Sequence, residues 1–192
     1  VETEAEILSN QPVNVIYNKE SYVVEGLVDS VDIILTGRKS SLYLAKQLGE
    51  HEVVLDLSDY DASDTPQKVA LTYNQTVDNI NYKLDPAYVT VTIKKKISEE
   101  KNVTYELLNE DKLNEKFSIS DVSLDQNTVI VKGSQDTLDK IATVKALIDL
   151  SNNKFTEAIT YDVDNLPLVA YDSAGNVLES VEIVPNTLSA SI

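Results

Sequence analysis

The side chains best suited to chemistry stand in four places. Gly37-Arg38-Lys39-Ser40 follows an apolar run and opens a helical pattern, the setting of a phosphate-binding loop. Asp56, Asp59, Asp61 and Asp64 put four carboxylates into one short stretch, as a calcium loop does. His51 is the one histidine, a candidate general base. Tyrosine supplies 10 of the 12 aromatic residues, and seven of those 10 fall in residues 1–96, as a sugar- or protein-binding face would require.

None of the four completes a reactive constellation. A phosphate cradle needs several glycines, or Gly-Lys followed by Ser or Thr, so that backbone N–H groups surround the anion. Here a single glycine precedes Arg-Lys-Ser, and a near-copy of the stretch at Gly133 is followed by Ser-Gln-Asp, whose Asp136 repels a phosphate. The glycine reads as a backbone corner between strand and helix, one that a positive φ would explain. A calcium loop counted from Asp59 would need Gly at its sixth position and Glu at its twelfth, and those positions hold Asp64 and Ala70. His51 has no counterpart in the near-copy and no recognisable nucleophile beside it, so it reads as a surface residue ahead of a strand. The tyrosines suit half-buried strand positions with the hydroxyl in water. The expectation is a chain with no catalytic residues, no cofactor site and no metal site.

Composition narrows the partners. Sixteen basic against 32 acidic residues leave a net charge of −16, and both halves are acidic, at 9 against 15 for residues 1–96 and 7 against 17 for residues 97–192. Such a surface repels a nucleic-acid backbone, so no nucleic-acid partner is expected. The one dense basic run, Lys94-Lys95-Lys96, closes a strand and reads as a solvated edge. Cysteine is absent, which removes disulfides and thiolate metal sites. No apolar run reaches the length of a membrane span. The sequence starts at Val1 and contains no Met, which suggests a fragment or processed form whose leading segment has been removed.

The elements that position these residues occur twice. Gly37 falls on Gly133 at an offset of 96; Leu42 then falls on Leu138 and Ala45 on Ile141. Asp56-Leu57-Ser58 falls on Asp149-Leu150-Ser151, Pro86 on Pro185, and Tyr73 on Tyr171. Motifs in one order at a nearly constant offset describe two tandem copies of one unit, residues 1–97 and 98–192. Alternation at Val31, Ile33 and Leu35, at Val53, Leu55 and Leu57, and at Val89, Val91 and Ile93 predicts strands. Val129 and Val131, Ile148 and Leu150, and Leu188, Ala190 and Ile192 repeat the pattern. One short helix per copy is expected after the corner, starting beyond Ser40 and Ser134. "AYDSAGNVLESVEIV" predicts a hairpin with Asp172 opening the turn and Gly175 left-handed, while the first copy has Asn74-Gln75-Thr76 there and a longer turn. The polar stretch "KKISEEKN" (95–102) suits a linker.

The string "TVIVKGSQDTLDKIATVKALIDLS" and the ending "YDSAGNVLESVEIVPNTLSASI" carry a family likeness: a strand into Gly, a short helix, Ile-Asp-Leu-Ser, a glycine turn, and Pro before the last strand. In these features the repeated unit resembles the YbbR domain of bacteria, and the likeness covers nearly the whole chain as two copies. It implies a mainly β fold of two tandem YbbR-like domains, each with one short helix. Gly37, Gly133, Asp56, Asp149, Pro86, Pro185 and Gly175 are its structural signature rather than functional residues. It further implies a non-enzymatic regulator of the membrane diadenylate cyclase that makes cyclic di-AMP, the cyclase being its partner. The chain would stand outside a Gram-positive cell, held to the membrane only by an N-terminal helix absent from this sequence. The family fold is also similar to a ribosomal-protein domain that contacts 5S RNA, a partner the −16 charge argues against. The alternative is a secreted or wall-associated tandem β protein that binds carbohydrate or another surface ligand.

Overall fold

The computed structural model describes residues 2–48, 51–151 and 154–192. The chain divides into two units, Val1–Lys94 and Lys95–Ile192, a boundary slightly earlier than the expected 97/98. The fold is mainly β, and each unit has one α-helix among the described residues.

The first unit runs β1 (Glu4–Ile16), β2 (Tyr22–Glu25), β3 (Ser30–Gly37), α1 (Lys39–Gln47), β4 (Val53–Asp56), β5 (Gln67–Ala70), β6 (Thr72–Tyr73), β7 (Asn81–Asp85) and β8 (Tyr88–Lys95). One sheet has the order β6-β4-β1-β3-β7 and a second the order β2-β8-β5. The long β1 changes partner along its length. Its first part pairs antiparallel with β3, and Val13 to Ile16 pair parallel with β4. Val31, Ile33 and Leu35 alternate into the core, as period-2 patterning demands. There they meet Val53 and Leu55 from β4, Leu57 just beyond it, and Val89, Val91 and Ile93 from β8.

The second unit repeats this scheme: β9 (Ile97–Leu108), β10 (Ser123–Leu124), β11 (Thr128–Gly133), α2 (Gln135–Asp139), β12 (Thr143–Asp149), β13 (Asp162–Tyr171), β14 (Glu182–Val184) and β15 (Thr187–Ser191). Its single sheet has the order β10-β15-β13-β12-β9-β11-β14. β9 pairs antiparallel with β11 up to Asn102 and parallel with β12 from Val103, as β1 does with β3 and β4. β13 is continuous where the first unit breaks at Leu71 into β5 and β6, which is why the first unit has two sheets and the second one. Val129, Val131, Leu138, Val144 and Leu188 form one core cluster, and Ala146, Ile148, Leu150 and Ala190 a second.

Several local expectations change. The stretch 95–102 is no linker, because Ile97 to Asn102 are the antiparallel half of β9. Its charged residues are accommodated because this part of β9 leaves Ser98, Glu100 and Asn102 in solvent. The lysines beside it are anchored rather than merely solvated: Lys94 reaches Glu25 at 3.3 Å, and Lys96 donates to Glu182 at 2.7 Å. That bond holds the Glu182 carboxyl below the usual carboxylate range. Ser134 caps α2, accepting from the Thr137 N–H, but α1 starts at Lys39 with Arg38 in the cap position and no side-chain cap. Ser40 therefore lies inside the helix.

The expected hairpin forms only its turn. Gly175 has φ +82°, and the Asp172 carboxylate accepts from the Ala174 and Asn176 N–H groups at 2.9 Å each. After one bridge between Tyr171 and Val177 the chain leaves β13, and β14 pairs with β11 instead. Leu178 and Val181 explain the departure, since both pack on the core on the way. In the first unit Val77 and Ile80 pack on the core in the same way before β7 pairs with β3. There the Gln75 side chain replaces the glycine turn, bonding both the N–H and the C=O of Val77 at 2.6 Å.

Candidate functional site

The repeated motifs converge at one end of each unit. Asp56 closes β4, and its carboxylate accepts from the Ser58 hydroxyl at 2.6 Å and the Ser58 N–H at 2.9 Å. Asp149 closes β12 and accepts from the Asn109 amide and the Ser151 N–H, both at 2.9 Å. Between each Asp and Ser stands a buried leucine whose N–H bonds back to the long strand, Leu57 to Ile16 and Leu150 to Leu108. The Asp-Leu-Ser turn thus ends a strand while pinning a core residue. Asp56, the first carboxylate of the suspected calcium loop, is engaged in this turn. Among the described residues no group of three or more His, Asp or Glu side chains is arranged to hold a metal ion.

These hydrogen bonds favour the ionised carboxylates. The Ser58 hydroxyl, then its N–H, lowers the Asp56 pKa; the Asn109 amide, then Ser151, lowers that of Asp149. A carboxyl whose pKa is lower folded than unfolded contributes stability above its unfolded pKa, about 3.9, and loses it as pH falls through the folded value. The second unit's melting temperature should therefore drop on acidification below pH about 4, and Asp149→Asn should flatten that drop. Melts of both proteins across the acid range check this.

The glycines, prolines and histidine fill structural places. Gly37 and Gly133 end β3 and β11, and neither has a positive φ, contrary to expectation. What crowds a side chain is proximity, more severely at Gly37 than at Gly133. A Cβ at Gly37 would lie 2.9 Å from the Asn79 carbonyl oxygen and 2.7 Å from Ile80 Cδ1; one at Gly133 would lie 3.3 Å from the Ser180 carbonyl oxygen. Pro86 and Pro185 both follow cis peptide bonds and lead into the last strand of their unit. His51 is half-buried rather than a bare surface residue, with Nδ1 2.9 Å from the Tyr73 hydroxyl. Burial, then Tyr82, raises the Tyr73 pKa. Tyr73 pairs with Val53 and Tyr171 with Thr143, so the two tyrosines stand at different distances from their Asp-Leu-Ser turns and are not equivalent.

Beside each turn lies a hollow. In the first unit it measures about 270 Å³ and is walled by Tyr17, Tyr22 and Tyr60 with Leu57 and Ile93. Three of the seven tyrosines of that half therefore gather at one place, while Tyr43, Tyr82 and Tyr88 are exposed elsewhere. In the second unit the matching end opens into a hollow of about 520 Å³ and one of about 390 Å³, which share Leu113, Phe117 and Phe155. The chain's two phenylalanines both stand there. Phe155 packs edge-on against Tyr161, their ring centres 5.1 Å apart. The Tyr161 hydroxyl accepts from the Thr156 and Glu157 N–H groups at 3.0 and 2.9 Å, which fixes the loop wall. Sequence reasoning missed this site. Its signal was two lone phenylalanines in polar segments with no strand alternation.

The profile of the family described as YbbR-like protein matches residues 11–93 and 102–192, one match per unit. The chain is 26% identical over 190 residues to the CdaA regulatory protein CdaR of Bacillus subtilis, covering 99% of this chain and 38% of that protein. It thus spans well under half the length of that relative. A crystal structure of a YbbR-like protein from Streptococcus pneumoniae, 24% identical, covers 100% of this chain and 94% of its own with a TM-score of 0.67. That likeness concerns the fold. A YbbR-like domain from Listeria monocytogenes is 29% identical over 49% of this chain and 96% of its own, with a TM-score of 0.44.

Proposed function

Because this chain belongs to the YbbR-like protein family, we propose that it is a non-enzymatic regulatory module acting on a membrane diadenylate cyclase, and so on the synthesis of cyclic di-AMP. The observation that carries the reading is the match to the CdaA regulatory protein CdaR along 99% of the chain. The shape of the units agrees with it. Their shared motifs are spent on turns and core packing, which leaves surfaces rather than a reactive cluster to act on a partner. In this reading a helix before the chain anchors it at the outer face of the membrane, and regulation passes through protein contacts.

Two experiments test it. Photo-crosslinkers placed on exposed tyrosines such as Tyr43, Tyr82 and Tyr88 of the anchored protein should capture the cyclase in cells. Capture of unrelated proteins alone contradicts the reading. Calorimetric titration of the purified chain with ATP and with cyclic di-AMP should give no heat of binding, since a −16 charge repels polyanions and neither corner forms a glycine-rich cradle. Micromolar affinity for either nucleotide would replace protein contact with direct sensing.

A further inference from the structure

The two copies within one chain serve as each other's control. The same end of the same fold closes to about 270 Å³ in the first unit and opens to about 520 Å³ in the second. The fold therefore does not require the larger hollow. It is lined from two stretches outside the shared strands, residues 113–121 and 155–161, which place Phe117, Phe155 and Tyr161 around it. Its size falls in the range of small-molecule sites, roughly 300–1,000 Å³.

The lining decides the ligand class. Phe117, Phe155 and Tyr161 are half-buried, so their rings retain accessible surface. Between them stand Ser118, Ser120 and Thr160, whose hydroxyls bond no other described residue. The Asp121 and Glu157 carboxylates also line the hollow, with one ammonium, that of Lys116. A wholly apolar ligand would strip water from these hydroxyls and carboxylates and give them no partner, which costs free energy. An anion would meet two carboxylates against one cation. A neutral molecule with a ring of C–H groups on one face and several hydroxyls at its edge satisfies all three features. Its C–H face meets the negative faces of the aromatic rings, and its hydroxyls donate to the carboxylates and exchange bonds with Ser and Thr.

We propose that the hollow of the second unit is a binding site for a neutral saccharide of one or two rings. The site is independent of the regulatory reading, which needs no ligand. The saccharide stacks on Phe117 and Phe155 and is held at its edge by Asp121 and Glu157.

Amide NMR spectra of the whole chain, titrated with N-acetylglucosamine, its β-1,4-linked dimer and cellobiose, test the proposal. Glucose 6-phosphate and an anilinonaphthalene sulfonate serve as anionic and apolar probes. At least one neutral saccharide should give saturable shifts at Phe117, Ser118, Phe155 to Thr160 and Tyr161, with a dissociation constant of about 1 mM. Phe155→Ala should weaken it about tenfold. Because Phe155 also packs on the core, the exposed pair Asp121→Asn with Glu157→Gln is the second test, and should weaken binding about fivefold with the spectrum otherwise intact. The proposal is overturned if no saccharide moves these amides at up to about 50 mM, if the shifts lie elsewhere, or if either control probe binds more tightly.

Discussion

Leu138→Ala should destabilise the second unit by about 2–5 kcal/mol, the usual cost of emptying a fully enclosed leucine site. Leu138 has no exposed surface, and it is the helix α2 residue that closes the core over Val129, Val131 and Val144. α2 has only five residues, too short to slide and refill the space, so the cavity should persist. Leu42 does the same work from α1 in the first unit, packed with Val31, Ile33 and Ala45. Each unit encloses its own cluster of buried residues, so the damage should be local. Hydrogen exchange reads this directly: amides of β11 and β12 lose protection in the variant, while those of β3 and β4 keep theirs. Equal loss in both units would show that they share a core.

Gly37→Ala should cost about 1–3 kcal/mol, and more than Gly133→Ala. The two glycines are aligned in sequence, each ends a strand and neither has a positive φ, so the comparison tests crowding rather than left-handed backbone. At Gly37 the new methyl would press on the Asn79 carbonyl oxygen, a backbone atom that moves only with its turn, and on the tip of Ile80. Asn79 is itself left-handed, with φ 61°, which leaves that turn little room to adjust. At Gly133 the nearest atoms lie 3.3 and 3.4 Å away, and a shift of a few tenths of an ångström accommodates the methyl. Thermal melts of both variants decide it. A larger loss for Gly133→Ala would mean that close approach is not the reason for glycine at these corners.

The parts of the fold legible in the sequence are those fixed by local rules. Alternation placed Val31, Ile33 and Leu35 in the core, because a strand shows one face to the interior. The repeated Asp-Leu-Ser and the Asp172 turn were readable because an Asp carboxylate bonding backbone two residues on is a short-range act. What stayed hidden depends on distant partners. Residues 97–102 look like a linker, and only pairing with β11 makes them a strand. Nothing after Gly175 says that β14 joins β11 rather than β13; the packing of Leu178 and Val181 decides it. The hollow of the second unit was illegible for the same reason. Phe117 and Phe155 lie far apart in sequence, and only the folded loops bring them to one wall.

The role proposed for the chain is action on a membrane diadenylate cyclase through protein contact at the membrane. Its most direct test measures cyclic di-AMP in cells carrying a fixed amount of the cyclase, with the chain either tethered outside the membrane by an N-terminal helix or secreted without one. The tethered chain should change the cyclic di-AMP made per cyclase, and the secreted chain at the same abundance should leave it near the level of cells lacking the chain. No change with the tethered chain, or full regulation by the secreted one, would contradict the account.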